Sequence, residues 1–354
     1  MSNRTAIVIL NWNTRNFLEL FLPNIIKHSS TDADIFVVDN ASTDDSVNFI
    51  ENYYPSVKII RNSVNDGFAG GYNKALSQIN TEYFVLINSD VEVTENWLSP
   101  MIELMDKKLE VGACQPKILS FNSKNFFEYA GGAGGYIDKY GYPFCRGRVF
   151  NTLEKDNLQY NDTRPVFWAT GACMMVRSSV YKKLGGFDPV FFAHMEEIDL
   201  CWRMHTAGFS VYYCALSIVF HIGGGTLHKS NPKKTFLNFR NNLLMIYKNA
   251  ESSEIKSILS VRFILDAIAS IKFLFSGSLA DFKAVWAARR AFNTLKSQYQ
   301  RPFSITKPVV SKTGFFIYPK SILWDYYICR RKKFSSLHWK EASIVPFEAT
   351  VRKQ

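Results

Sequence analysis

The stretch FFAHMEEIDLCWR at residues 191–203 sets three carboxylates and an arginine among aromatic and apolar residues. Carboxylates are costly to bury without partners. Asp199 and Arg203 are four residues apart, the spacing of an ion pair on one helix face. Glu196 and Glu197 are adjacent, and consecutive helical residues point about 100° apart, so one can face a cleft while the other anchors to the scaffold. Their repulsion would raise the pKa of one and suit it to general-base catalysis near neutral pH. The structural alternative is that acids favour a helix N-terminus.

A second candidate for chemistry is the sequence NSD at residues 88–90, which follows the apolar run YFVLI. An aspartate at the carboxyl end of a strand can hold Mg²⁺ or Mn²⁺, and the metal can then bridge a ligand diphosphate. The alternative interpretation of Asp90 is an Asx turn or a helix cap.

The first 110 residues alternate strand and helix patterns, which predicts an α/β fold with a doubly wound, mostly parallel sheet. The predicted strands are residues 5–12, 34–40, 57–62 and 83–90. Helical spacing is found between these strands, over residues 15–27, over a stretch that ends at about residue 52, and over residues 68–79. Ser99-Pro100 marks the start of a further helix.

Polar side chains follow these strands at their carboxyl ends, where ligands bind in such sheets. They are Asn11, Asn13, Asp39, Asn40, Asn88, Ser89 and Asp90. The glycine fingerprint GxGxxG is absent after the first strand, and so is a GxxxxGK[ST] loop, which argues against a dinucleotide cofactor and a P-loop nucleotide site.

Beyond residue 110 the patterns are less regular. Residues 115–165 are predicted to be irregular around a glycine and aromatic hairpin or flap, GGAGGYIDKYGYPF. A strand entering a helix is predicted over 167–180, a helix over 196–207, a strand over 209–215 and a mobile loop after His221. From residue 236 onward the pattern is helical, amphipathic and basic.

Composition limits the setting in which the protein works. The net charge of +11 suggests an anionic partner or a solubilising basic surface, and no nucleic-acid-binding motif is present. Six cysteines lack CxxC spacing, which fits reduced thiols in the cytoplasm. No segment is apolar and uncharged over about 18 residues, so we expect no spanning helix.

Several motifs, taken in their order along the chain, resemble those of a known protein family. VILNWN, VVDNASTDDS, NDGFAGGYNKAL, FVLINSDV, ATGACMMVRSSV and GGFDPVFFAHMEEIDLCWR, followed by His221, resemble the family 2 inverting glycosyltransferases with a GT-A fold, and within them the rhamnosyltransferase-like branch. The resemblance covers roughly residues 5–250. It implies a GT-A catalytic domain over 1–250, with a nucleotide-binding half over 1–110 and an acceptor half over 111–250, and a C-terminal helical appendage over 251–354.

The resemblance also implies roles for individual residues. A nucleotide-sugar donor, dTDP- or UDP-linked, would lie against Asn11, Asp39, Asn65, Gly67, Asn73 and Asp90. Mg²⁺ or Mn²⁺ would be held by Asp90, since Asn88 stands where the first acid of the DXD motif is usual, and by His221. Glu197, or its neighbour Glu196, would be the catalytic base. Trp168, Thr170 and Gly171 would bind the acceptor, although Trp168 is equally well interpreted as an aromatic core residue.

The implied reaction is transfer of a sugar, rhamnose in the first instance, to a growing glycan on a lipid carrier. Alternatives are a donor such as UDP-galactose or UDP-N-acetylglucosamine, and a non-catalytic nucleotide-sugar-binding scaffold. The basic helices after residue 250 fit a protein at the inner face of the plasma membrane, and they fit packing on the catalytic domain or a homodimer equally well.

Overall fold

A computed structural model describes residues 3–223, 231–299, 317–337 and 339 of the chain. Its strands are β1 (Thr5–Asn11), β2 (Asp34–Asn40), β3 (Lys58–Asn62), β4 (Tyr83–Asn88), β5 (Val91–Val93), β6 (Val111–Ser120), β7 (Gly135–Asp138), β8 (Pro143–Cys145), β9 (Arg148–Val149), β10 (Thr152–Leu153), β11 (Arg164–Val166), β12 (Cys173–Arg177), β13 (Ser210–His221) and β14 (Ile317–Tyr318). Its α-helices are α1 (Arg15–Lys27), α2 (Ser46–Tyr53), α3 (Gly67–Leu76), α4 (Ser99–Lys107), α5 (Ser178–Lys183), α6 (Glu196–Thr206), α7 (Pro232–Asn249), α8 (Ile255–Phe275) and α9 (Leu279–Leu295).

The main sheet has the strand order β11-β13-β6-β12-β4-β1-β2-β3, with β5 paired to β13. The four strands β3, β2, β1 and β4 run parallel, and they are the four that the first 110 residues predict. β12 then runs antiparallel to both β4 and β6. The predicted doubly wound α/β architecture is therefore confirmed, in a sheet whose pairings are mixed rather than mostly parallel.

Alternation along β1 explains why helices cover both faces of this sheet. Ala6 and Val8 point into the core beneath α3 and α6, whereas Ile7 and Ile9 point into the core beneath α1 and α4. A strand that is buried on both faces reads as a continuous apolar run, which is the pattern of β1.

The prediction that residues 115–165 are irregular is wrong in part. β6 is a ten-residue strand inside the main sheet, and β7 to β10 form a second sheet, to which β14 adds a fifth strand. The hairpin predicted around residues 131–144 is present as the antiparallel pair of β7 and β8. The pattern of β6 is obscured by Lys117, whose buried ammonium is paired with Asp156 and Asn161 from a later loop.

The region after residue 250 contributes more than helices. β14 pairs in parallel with β7 at one edge of the second sheet. Tyr318, Phe334 and Trp339 pack their rings around Tyr136 and Phe144 of that sheet. Residues 224–230 of the loop predicted after His221, and residues 300–316, 338 and 340–354 of the predicted appendage, lie outside the described residues.

Candidate functional site

The carboxyl ends of β1 and β2 are joined through Asn11. Its Nδ2 atom donates to Asp39 Oδ1 at 3.2 Å, to Ser42 Oγ at 3.0 Å and to Ser46 Oγ at 2.8 Å, while its Oδ1 accepts from Thr14 Oγ1 at 2.6 Å. Asn11 is fully buried, so its amide holds the loop after β2 in one position. Asn11 therefore supports Asp39 instead of offering free donors to a ligand.

Asp39 is held in place at the start of the loop after β2, and it does not cap the next helix. Its carboxylate accepts the backbone N–H of Ser42 at 3.3 Å. The N–H of Ser46, where α2 begins, is instead accepted by Asp44 at 3.2 Å. The capping alternative for Asp39 is thus excluded, and the carboxylate keeps acceptor capacity at the ligand-binding end of the sheet.

The start of α3 is tied to the loop that precedes the acidic pair. Asn65 Oδ1 accepts the N–H of Gly67 at 2.9 Å, and Gly67 has a φ of +72°. The carbonyl of Phe192 accepts the N–H groups of Phe68 at 2.6 Å and Ala69 at 3.2 Å. A Cβ atom on Gly67 would lie 2.4 Å from that carbonyl oxygen, so only glycine allows this approach.

Asn73 lies one turn further along α3, and both polar atoms of its side-chain amide form hydrogen bonds within the protein. Its Nδ2 donates to the carbonyl of Phe187 at 2.7 Å. Its Oδ1 accepts from the Tyr181 hydroxyl at 2.7 Å and from Phe187 N at 3.0 Å. The side chain lines a cavity of about 470 Å³ between α3 and the turn at Pro189–Phe192, but its polar atoms hold that wall together.

Asp90 and His221 meet because β5 and the end of β13 pair in antiparallel register. His221 Nε2 lies 3.1 Å from Asp90 Oδ1, and Nδ1 of the same ring lies 3.1 Å from Oε2 of Glu128. All three side chains are buried. The structure thus brings together the two residues predicted as metal ligands and adds an acid that the sequence did not single out.

The charges in this cluster outweigh the effect of burial. Burial by itself lowers the pKa of His221, but Asp90 and Glu128 raise it to about 10. Burial likewise raises the pKa values of Asp90 and Glu128, but the imidazole holds both below their ordinary values. Without a bound ion, His221 therefore supplies the positive charge between two carboxylates.

The donor set fits a divalent cation. A carboxylate and an imidazole are suitable ligands for such an ion. When a histidine binds a metal through Nε2, an acid next to its Nδ1 orients the ring. Glu128 occupies that position on His221. Among the described residues no group of three or more His, Cys, Asp or Glu that could hold a metal ion is found, and Asp90 with His221 supplies two donors.

The loop that leads into α6 is held in an unusual backbone conformation. Phe192, His194 and Met195 have φ values of +63°, +72° and +74°. Positive φ costs energy in residues other than glycine and persists only where surrounding contacts enforce it. Asn241 of α7 supplies such contacts, since its Nδ2 reaches the carbonyls of Phe191, Ala193 and His194 at 2.7–2.8 Å.

Glu196 and Glu197 follow directly, in the first turn of α6. Glu196 is buried and Glu197 partly buried, and the Oε2 atom of each is shielded from solvent without a hydrogen-bond partner among the described residues. Burial raises the pKa of Glu197 to about 7. Burial and the charge of Glu197 raise the pKa of Glu196 as well. The predicted repulsion thus acts on Glu196, whereas the raised pKa of Glu197 comes from its burial.

Asp199 has the scaffold role that its spacing predicts. Its carboxylate accepts from Arg203 Nε at 2.9 Å, which confirms the predicted i, i+4 ion pair. Lys248 at 3.0 Å and Asn249 at 2.8 Å, both from α7, complete its partners. Because Asp199 is fully buried, this cluster locks α6 to α7.

The predicted acceptor residues lie in the segment before β12. Trp168 is only 4% exposed, and its Nε1 donates to the carbonyl of Tyr136 at 2.9 Å. A Cβ atom on Gly135 would lie 2.0 Å from the indole, so the backbone there covers the ring face. The core alternative for Trp168 is what the structure shows. Thr170 is held by Gln115, and Gly171 packs against Phe68 of α3.

Comparison with known proteins identifies the family of the chain. The profile of the family described as "Glycosyl transferase family 2" matches residues 6–185, about half of the chain. The chain belongs to glycosyl transferase family 2. The matched range of this family 2 chain includes Asn11, Asp39, Asp90 and Glu128, whereas the acidic pair and His221 follow it.

Similar proteins support the same assignment. The chain is 23% identical over 240 residues to N-acetylglucosaminyl-diphospho-decaprenol L-rhamnosyltransferase of Mycobacterium tuberculosis, which covers 62% of this chain and 77% of that protein. It is 23% identical over 250 residues to the low-salt glycan biosynthesis hexosyltransferase Agl10 of Haloferax volcanii, covering 69% and 76%. The crystal structure of GalNAc-T7 with UDP, GalNAc and Mn²⁺ aligns with a TM-score of 0.52 at 15% identity over 68% of this chain. The alignment spans 47% of that structure, and the likeness confirms the GT-A fold alone.

Two residues of the candidate site in this family 2 chain are not predicted from the sequence. Glu128 stands in FFEYAGG, where an acid before a glycine run was the available signal, but its partner His221 is distant in the chain. Asn241 stands in FRNNLLM, a helical segment in which one asparagine reads as a surface residue. Its complete burial against carbonyl groups is visible only in the folded chain.

Proposed function

We propose that the protein is an inverting glycosyltransferase that moves a sugar from a nucleotide-diphosphate donor to a hydroxyl group of a growing glycan. The observation that carries the proposal is the acidic pair Glu196-Glu197, held by Asn241 at the start of α6 with raised pKa values and unpaired carboxyl oxygens. A carboxylate with a pKa of about 7 is suited to accept a proton at neutral pH.

In the proposed reaction Glu197 takes the proton of the acceptor hydroxyl while that oxygen forms a bond to the anomeric carbon. The bond from this carbon to the diphosphate oxygen breaks on the opposite face, and its electron pair leaves with the nucleotide diphosphate. The configuration at the anomeric carbon therefore inverts. Glu196 precedes Glu197 in the first turn of α6, and burial keeps the pKa of Glu197 high.

On the donor side, Asp39 accepts hydrogen bonds from the nucleotide base, and Asn65 and Gly67 shape the backbone at the start of α3. Mg²⁺ or Mn²⁺ held by Asp90 and His221 would neutralise charge on the departing diphosphate. Glu128 orients His221 for that task. Thr170 and Gly171 form the acceptor-side wall, and Asn11 and Asn73 act by supporting their neighbours.

We propose rhamnose as the transferred sugar and a lipid-linked glycan as the acceptor. Similarity to a protein named as an L-rhamnosyltransferase of a diphospho-decaprenol substrate supports both choices. Such an acceptor would place the reaction at the cytoplasmic face of the plasma membrane. UDP-galactose and UDP-N-acetylglucosamine are the alternative donors.

The test begins with binding. Thermal unfolding is followed against dTDP-rhamnose, UDP-galactose and UDP-N-acetylglucosamine, with and without Mn²⁺, and we expect dTDP-rhamnose with Mn²⁺ to raise the melting temperature most. Product formation on a synthetic lipid-diphosphate acceptor is then compared for the native chain and Glu197→Gln, with the anomeric configuration read by NMR. Donor binding without turnover in the native chain would favour a non-catalytic scaffold, and no response to any donor would refute the proposal.

A further inference from the structure

Helix α8 turns its polar residues toward the protein. Arg262, Asp266 and Ser270 are buried and share one face of the helix. The Arg262 guanidinium donates to Asn242 of α7 and to the carbonyl of Tyr140. Asp266 accepts from Arg289 of α9. These contacts satisfy the polar groups of α8 inside the fold.

The opposite face of α8 is apolar and exposed. Ile264, Ile268, Ile271 and Phe275, spaced four, three and four residues apart, form one stripe, and they are 60%, 58%, 49% and 87% exposed. We call these four residues the outer face. A surface helix of a globular protein ordinarily buries its apolar stripe and exposes its polar one. In α8 the order is reversed, so the outer face is adapted to an apolar environment.

The apolar surface continues beyond α8. The helical turn Trp324–Ile328 exposes Trp324, Tyr327 and Ile328. The Lys272 ammonium lies 5.1 Å from the centre of the Tyr327 ring, so this turn is next to the C-terminal end of α8. Contiguous exposed apolar surface of this kind marks a site of interaction.

The segments that carry and follow the outer face have an excess of positive charge. Residues 255–299 and 317–337 contain twelve lysines and arginines against three aspartates. Asp266 and Asp325 are buried in ion pairs, and Asp281 is bonded at the start of α9. Exposed cations remain, namely Lys256, Lys272, Lys283, Arg290, Lys320, Arg330, Lys332 and Lys333.

We propose that the outer face, together with Trp324 and Ile328, docks on an anionic lipid bilayer with α8 lying along its surface. Isoleucine and phenylalanine side chains would enter the acyl boundary, the tryptophan and tyrosine would lie at the headgroups, and the lysines and arginines would pair with lipid phosphates. A second copy of the chain fits this face less well, because it would bring two positively charged regions together. No helix among the described residues is long and apolar enough to cross the bilayer, so the docking is to one surface.

The experiment is flotation of the full chain with vesicles of phosphatidylcholine, with and without phosphatidylglycerol. We expect the chain to float with the anionic vesicles, and to bind at least about tenfold more weakly to the neutral ones and in high salt. The double variant Ile268→Glu/Ile271→Glu should lose at least about tenfold in vesicle binding. Both positions are exposed, so its melting temperature should match that of the native chain.

The matched control is Leu20→Glu/Leu109→Glu, which places the same charges at exposed leucines away from α8 and should leave flotation unchanged. Equal flotation of the native chain and the α8 variant would overturn the proposal, and so would absence of native flotation. A dimer that Ile268→Glu/Ile271→Glu dissociates, without any vesicle binding, would assign the face to a second copy instead. Because flotation requires neither donor nor acceptor, docking without transferase activity would refute the proposed function alone.

Discussion

The carboxylate of Glu128 lies 3.1 Å from Nδ1 of His221, on the side of the ring opposite Asp90. Glu128 lies in the loop before the second sheet, and His221 is the last residue of β13. A residue of the middle region therefore completes a centre at the end of β13 in the main sheet. This contact fixes which ring nitrogen is directed toward Asp90.

The variant Glu128→Gln should weaken Mn²⁺ binding by about 10–100-fold, because the imidazole loses the anion that orients it and raises its basicity. Mn²⁺ titration followed by electron paramagnetic resonance, with dTDP present, measures this directly. The control is Glu92→Gln, which removes a partly exposed acid from β5 that pairs with Lys124 and does not contact the ring. Unchanged Mn²⁺ affinity in Glu128→Gln would contradict the role given to Glu128.

The variant Asn241→Ala should lower kcat by a larger factor than it raises the KM for the donor. The loop carbonyls of Phe191, Ala193 and His194 would lose their shared donor, and the acids that follow would no longer be held in one position. Stability should fall by about 1–3 kcal/mol, the cost of buried acceptors left unpaired.

Asn293→Ala, at an exposed position of α9, serves as the control for Asn241→Ala. A purely structural role would lower the yield of folded protein but leave the pH profile of the remaining activity unchanged. A displaced midpoint of that profile in Asn241→Ala indicates that Asn241 positions the base.

The transferase activity should rise with pH and level off above about 7, since the base must be deprotonated and burial raises the pKa of Glu197 to that value. Folding stability should change in the opposite direction. A carboxyl group with a raised folded-state pKa binds more protons folded than unfolded, so stability falls as pH rises from the ordinary glutamate range to about 7.

Urea unfolding across that interval measures the loss of stability, and Glu197→Gln should reduce its size. Glu19→Gln, which removes an exposed acid of α1, should leave the slope as it is. A native chain whose stability increased through the interval would show that the acidic pair is not held in a desolvated environment.

Asp199→Asn should destabilise the fold by about 3–5 kcal/mol, because it leaves Arg203 and Lys248 without their shared anion in a buried cluster. The comparison is Glu103→Gln, which breaks an i, i+4 pair with Lys107 on the exposed face of α4 and should cost less than about 1 kcal/mol. Chemical denaturation of both variants gives the two values. Equal losses would mean that burial adds nothing to the Asp199 pair.

Local patterns were sufficient for the parts of the fold whose partners are close in sequence. The continuous apolar run of β1 and the spacing of Asp199 and Arg203 each identify their structure without knowledge of the rest. β6 was missed because Lys117 interrupts its pattern, and the partners that make this lysine tolerable lie some forty residues later. Long-range contacts also determine that Glu128 meets His221 and that Gly135 covers Trp168. The candidate acids were thus predictable from the sequence, and the residues that hold them in place were not.

The carbonyl of Phe192 connects the start of α3 with the turn before the acidic pair, the parts of the candidate site proposed to bind donor and acceptor. It caps the first N–H groups of α3, and it belongs to the turn that leads into Glu196 and Glu197. A nucleotide that draws the start of α3 toward its phosphates would move the same peptide group, and by linkage the acids would influence the nucleotide to an equal extent. The two halves would then be coupled, so that occupation of one changes the affinity of the other for its ligand.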